Sequence, residues 1–146
     1  MRTLLEFFLR YCDFLYLDPR YRITDSSTTG VPNNNASLNL TGPILSWGFA
    51  NDRGQILLTV APTELPTFGN WFRIPLIKQY LNGDEEIEYS SAENDVEWAR
   101  ENSGRIGQLF SDHSAIETTC ESLRTLRQSN TEKYITRWRK QQGLTQ

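Results

Sequence analysis

The sequence predicts an α+β fold: an N-terminal helix, a four-stranded antiparallel meander, and three C-terminal helices packed on one face of the sheet. Apolar residues recur at helical spacing near the N-terminus, and they alternate with polar residues in four segments between positions 21 and 60. Helix-capping patterns follow after position 90. Because the 146 residues contain no internal repeat or linker, we expect a single domain spanning 1–146.

The first helix is predicted over residues 3–17. Leu4, Phe8, Tyr11 and Leu15 follow the spacing of one helical face, so we expect them to lie in the core. Further apolar residues widen this surface, and such a helix must be covered on most sides or present aromatic side chains to a partner. The sequence Asp18-Pro19 ends it, because the residue before a proline avoids the helical conformation.

Four strands follow in the predicted sheet, and each has one apolar and one mixed face, which is typical of a sheet covered on one side. We expect Asn51-Asp52-Arg53-Gly54 to form a type I turn with Gly54 in the left-handed conformation. The stretch Ser26–Asn35 is predicted to be a polar loop. The strand segments are 21–24, 36–41, 45–50 and 55–60.

Three helices are predicted in the remaining chain. Pro75 is tolerated only in a first turn, so one helix begins near Arg73 or Ile74, and Gly83 ends it. Two segments have the spacing of a capping box. Residues 90–93 are predicted to begin a helix that runs to about Phe110, and residues 114–117 are predicted to begin the terminal helix. The residues expected to face the core are Val96, Ala99, Ile106 and Phe110 in the first of these, and Ile116, Cys120, Leu123, Tyr134 and Trp138 in the second.

The composition argues against several classes of protein. A net charge of −3 and a pI near 5.2 do not suit a general nucleic-acid binder, which needs a basic surface. No run of about twenty apolar residues could span a membrane, and no signal peptide is recognisable, so we expect a cytoplasmic protein. Cys12 and Cys120 are then reduced, buried thiols, although they could form one bridge if the protein were exported.

The residues suggest neither catalysis nor a bound cofactor or metal. His113 is the single histidine, lies at a predicted turn, and has no second metal ligand nearby at a suitable spacing. The apolar neighbours of Cys12 favour an inert thiol. The chain also lacks a glycine-rich phosphate loop and a nucleophile elbow. An enzyme that uses acidic residues with a divalent metal is therefore the least favoured class.

The charge distribution is more informative than the total. Residues 83–112 carry 9 acidic and 2 basic side chains, net −7, between flanks of +1 and +3. This segment is either a solvated face, partly neutralised by Arg100, Arg105 and the basic terminal helix, or a landing site for a basic protein. The candidate contact residues are Asp84, Glu85, Glu86 and Glu88 before the helix, and Glu93, Glu97 and Glu101 every fourth residue along it.

Asp52 and Arg53, at the tip of the predicted hairpin, are further candidates for partner contacts. A tight turn itself favours an aspartate and a glycine in these positions, so the turn alone also accounts for the pattern.

Several stretches resemble the small cytosolic immunity proteins of bacterial polymorphic-toxin and contact-dependent growth-inhibition systems. They are Tyr21–Ser26, Ala36–Leu40, Trp47–Ile56 and Trp71–Leu76, with an acidic helix after them. The resemblance implies a non-enzymatic inhibitor that binds one cognate toxin domain, often a basic nuclease. Independently of it, we expect the free protein to be monomeric or weakly self-associating. The alternative from another class is a small adaptor or regulatory subunit that docks through its apolar N-terminal helix.

Overall fold

The computed structural model describes residues 1–29 and 35–143, and in them an antiparallel sheet of five strands is combined with six helices. The predicted α+β class is confirmed. We predicted four strands and three C-terminal helices, and the structure has one more of each. In chain order the elements are α1 (Arg2–Tyr11), α2 (Asp13–Tyr16), β1 (Arg22–Thr28), β2 (Ala36–Thr41), β3 (Leu45–Asp52), β4 (Gln55–Pro62), β5 (Phe72–Arg73), α3 (Ile74–Asn82), α4 (Ala92–Glu101), α5 (Ser103–Leu109) and α6 (Ile116–Gln141).

The sheet is a meander in which the strands are ordered β1 to β5 and each is antiparallel to the next. Leu40, Trp47, Val60 and Phe72 form one row across four strands, and all four are buried. The helices contribute aromatic side chains to the same core, because Phe8 meets Phe49 and Phe14 meets Trp47 edge to face.

The two edge strands depart from prediction. Strand β5 has only two residues, too few to show a period of two, and Phe72 pairs with Val60. Strand β1 is longer than predicted, so Ser26–Thr28 belong to it and not to the loop. All seven residues of β1 are exposed, Ile23 included, so this edge strand contributes no side chain to the core. Thr29 and Asn35 lie outside the strands as predicted, with the Thr29 amide donating to the Asn35 carbonyl at 3.2 Å, and residues 30–34 of the predicted loop lie outside the described residues.

The predicted N-terminal helix is broken at Cys12, which separates α1 from α2. In a continuous helix the carbonyl of Tyr11 would accept from the amide of Leu15. Here the Arg100 guanidinium donates to that carbonyl at 2.6 Å, and the Leu15 amide bonds to the Cys12 carbonyl. The predicted stripe is nevertheless confirmed as core, with Tyr11 half-buried and the other three members buried.

The helix predicted from residue 92 to Phe110 is also two helices, α4 and α5. The break lies at Asn102, whose side chain donates to the Trp98 carbonyl and accepts from Arg105. The predicted inner face is correct on both sides of the break, since all of its members are buried.

Helix α3 begins and ends as predicted, with Pro75 in its first turn and Gly83 at a φ of 70° after its end. Helices α4 and α6 begin close to the two predicted positions, but neither is closed by the predicted capping box. Ser91 caps α4 by accepting from the Asn94 amide, because Ser90 instead donates to Asp95. Helix α6 begins after Ala115 without a side-chain cap, and Ser114 donates to Asp112.

Helix α6 is buried at its start and exposed at its end. Ile116, Cys120 and Leu123 lie in the core as predicted. The prediction for Tyr134 and Trp138 is wrong, because they are 69% and 46% exposed. Every residue from Thr131 to Gly143 except Lys133 is exposed. The apolar residues at this end of α6 keep the helical spacing of a buried face, but the rest of the described chain does not cover them.

None of the helices in the described ranges combines the length and the apolar character that crossing a lipid bilayer requires.

Candidate functional site

The candidate acidic residues fall into two groups that the fold treats differently. We call Asp84, Glu85, Glu86 and Glu88 the acidic loop, and Glu93, Glu97 and Glu101 on α4 the acidic stripe. All seven side chains are exposed, as a partner-binding surface requires. The groups differ in their neighbours within the protein.

The acidic loop is attached to helix α6. The Arg137 guanidinium donates to the Glu86 carboxylate at 2.8 Å, and Lys133 donates to the Glu85 backbone carbonyl at 2.9 Å. The hydrogen bond from Arg137 lowers the pKa of Glu86 below its usual value, and the nearby charges of Arg137 and Lys133 act in the same direction. The positive end of α6 therefore compensates part of the negative charge of this loop.

The acidic stripe points away from the core because the opposite face of α4 is buried through Val96 and Ala99. Its one ionic neighbour in the described part of the chain is Arg100, 3.9 Å from Glu97. That guanidinium is closer to Asp13, at 3.0 Å. Like charges four residues apart cost a helix roughly 0.2–0.5 kcal/mol per pair, so a positive partner relieves a repulsion that the fold leaves in place.

The hairpin tip between β3 and β4 is a two-residue turn. Asp52 pairs with Gln55, and the central residues Arg53 and Gly54 have φ values of 53° and 90°. Two positive φ values define a type I′ turn, so the predicted type I turn is wrong. The turn is held by the Gly54 amide, which donates to the Asn51 side chain at 2.9 Å.

Asp52 and Arg53 themselves form an exposed pair at 3.3 Å. The tip lies beside the start of the acidic stripe, because Gly54 and Gln55 line a cavity of about 280 Å³ together with Ser91 and Glu93. The structure thus places Gly54 and Gln55, next to the predicted hairpin residues, beside Glu93, while the acidic loop is bonded to α6.

The remaining titratable groups offer little for catalysis. Burial raises the pKa of the Cys12 thiol to about 12 and also raises that of Cys120, so both are poor nucleophiles at neutral pH. His113 is exposed and contacts Glu64, which raises its pKa. Burial raises the pKa of Asp95, although a hydrogen bond from Ser90 opposes the shift. Within residues 1–29 and 35–143, no three potential metal-ligating side chains are clustered.

One feature that the sequence did not reveal is a groove of about 540 Å³ between α6 and the segment that runs from Trp71 to Tyr89. Four cationic side chains line it, three from α6 and one from a position more than fifty residues earlier in the chain. The acidic net charge of the chain conceals this cluster. The charges are those of Arg73, Arg127, Lys133 and Arg137.

Comparison with known proteins finds no family model, no curated protein sequence and no solved structure that matches this chain. The resemblance to immunity proteins therefore stays a hypothesis.

Proposed function

We propose that this protein is a non-catalytic, cytoplasmic inhibitor that binds and neutralises a basic partner protein, namely a cognate toxin domain such as a nuclease. The observation that carries the proposal is the acidic stripe, three exposed carboxylates on one face of α4 with little compensation from the protein itself. We also assign Asp52 and Arg53 to this surface, because the neighbouring Gly54 and Gln55 line a cavity with Glu93.

The spacing of the stripe suits electrostatic steering. Neighbouring glutamates are four residues apart, a rise of about 6 Å, which is within the Debye length of about 8 Å at physiological salt, so their fields add. The three charges thus form a field that a basic surface meets before contact. Such fields raise association rates and fix the register of docking, while apolar and hydrogen-bonded contacts set the dissociation rate.

The helix that carries the stripe is held in a fixed position. Arg100 links α4 to the N-terminal helices through the Tyr11 carbonyl and the Asp13 carboxylate. Val96 and Ala99 anchor the same helix in the core. A pre-positioned surface loses little conformational entropy on binding, which favours tight association.

The test uses the domain encoded in the reading frame beside that of this protein, because an immunity gene is expected to adjoin its toxin gene. Co-expression should rescue cells from that domain, and the two proteins should co-purify. The variant E93K/E97K/E101K should weaken both effects. The control E117K/E121K/E132K reverses three exposed glutamates on α6, makes the same change in net charge, and should retain rescue.

The adaptor hypothesis is favoured by one observation: Leu9 and Leu17 of the N-terminal region are exposed, although most of that apolar surface lies in the core. The two hypotheses separate in a binding assay. If Leu9→Ser with Leu17→Ser abolishes partner capture while reversal of the stripe leaves it unchanged, the adaptor hypothesis replaces the inhibitor hypothesis.

A further inference from the structure

The groove beside α6 has the size and composition of a small-molecule site. Its volume of about 540 Å³ lies within the range of roughly 300–1,000 Å³ in which proteins bind small ligands. Leu76 and Ile87 supply apolar lining, and Tyr89 and Tyr134 supply aromatic rings from two separate elements.

The positive charge of the groove is poorly compensated. Within the described residues, Arg137 is the one lining cation with a carboxylate at ion-pair distance, Glu86. Arg127 donates to the backbone carbonyls of Gly69 and Trp71, and Lys133 donates to that of Glu85. Carbonyl groups carry no net charge, so these hydrogen bonds orient the cations without neutralising them.

Arg73 adds a donor without an acceptor. Its Nε atom is buried and has no hydrogen-bond partner among the described residues, and its guanidinium lies 5.4 Å from the centre of the Tyr89 ring. Because this nitrogen is itself inaccessible from the surface, Arg73 acts on the groove through its positive charge and not as a free donor to a ligand. The groove thus favours a ligand that carries a negative charge.

The aromatic rings indicate the rest of the ligand. Tyr89 is 62% exposed and Tyr134 is 69% exposed, so both rings can still be covered. The Trp71 indole is fixed beside them because its N–H donates to the Pro66 carbonyl at 3.2 Å. Flat rings stack favourably on exposed aromatic side chains, with little dependence on the identity of the base.

We propose that this groove binds a small anion that carries a flat ring, such as a nucleoside monophosphate. The anionic group lies among Arg73, Arg127 and Lys133, and the ring covers the tyrosines. Glu86 disfavours additional negative groups, and with the net charge of −3 it argues against a nucleic-acid strand. This site is separate from the acidic stripe and does not depend on the proposed inhibition of a toxin.

The test is isothermal titration of the free protein with AMP, GMP, CMP, UMP and phenyl phosphate, and with adenosine and inorganic phosphate as half-ligands. At least one ring-bearing phosphate should bind about tenfold more tightly than either half-ligand. The variant R127Q/K133Q should lose about tenfold in affinity, since charge-assisted contacts to phosphate are the strong ones. Tyr134→Ser should lose about fivefold through lost stacking.

The matched control is R139Q/K140Q, which removes the same charge from the same helix outside the groove and should change affinity by less than about twofold. The proposal is overturned if no ring-bearing anion binds below about 1 mM, or if inorganic phosphate binds as tightly as the nucleotides. Equal losses in the groove and control variants would also overturn it. Tighter binding of a hexaglutamate peptide would point to a polypeptide ligand instead.

Discussion

The acidic loop and the acidic stripe are close in the chain and similar in composition, yet the fold uses them in opposite ways. Two residues of α6, about fifty positions away in the chain, donate hydrogen bonds to the loop. Arg137 donates to the Glu86 carboxylate, and Lys133 donates to the Glu85 carbonyl. No cation of α6 lies within ion-pair distance of the stripe in the described residues. Formal charge therefore does not identify a binding surface. The cations that the fold places beside each carboxylate determine whether its charge is available.

The largest effect expected is on the support beneath the stripe. Phe8 is buried and meets Phe49 edge to face, with ring centres 5.3 Å apart. Phe8→Ala should lower the free energy of unfolding by about 3–5 kcal/mol, measured by urea denaturation, because it leaves a cavity in the core. Leu9→Ala, at the exposed neighbour, should change it by less than about 0.5 kcal/mol. Equal effects would contradict the placement of Phe8 in the core and of Leu9 on the surface.

A smaller effect is expected where α4 meets the N-terminal helices. Arg100→Met removes the hydrogen bond to the Tyr11 carbonyl and the pair with Asp13, and should cost about 1.5–3 kcal/mol in the same assay. Arg105→Met is the control, because this exposed side chain bonds only to Asn102 and the Leu81 carbonyl in the described chain. A stability of Arg100→Met equal to that of the wild type would contradict the assignment of Arg100 as the link.

The smallest effect separates the loop from the stripe by titration. The pKa of Glu86 should lie below its usual value in the wild type and should rise in Arg137→Gln, measured by NMR. Because the folded pKa is lowered, the pair stabilises the protein above the unfolded pKa, and this contribution is lost as the pH falls through the folded pKa. An unchanged Glu86 titration in the variant would show that the loop is as free as the stripe.

The sequence was sufficient for features that arise from local spacing. The fold class, three strands of the meander, the limits of α3 and the inward faces of α4 and α5 all follow from periodicity, proline and glycine. Features set by distant partners were missed. The break between α1 and α2 at Cys12 depends on the hydrogen bond from Arg100 to the Tyr11 carbonyl. Trp138 is exposed because no other element of the described chain covers the end of α6.

The candidate site shows the same division. Periodicity correctly placed Glu93, Glu97 and Glu101 on the outer face of α4. It could not show that the hairpin tip adjoins Glu93, nor that Arg137 binds Glu86, because both depend on tertiary packing. The cationic groove was missed for the same reason, since its walls come from two separate parts of the chain.

The most direct test of the inhibitor proposal measures association rates with the adjoining toxin domain at low and high salt. Wild-type association should slow by about tenfold or more as salt screens the stripe. E93K/E97K/E101K should associate slowly and with little salt dependence, while the matched loop variant E85K/E86K/E88K should retain most of the wild-type rate. Identical rates for all three proteins at both salt concentrations would contradict the claim that the acidic stripe steers a basic partner.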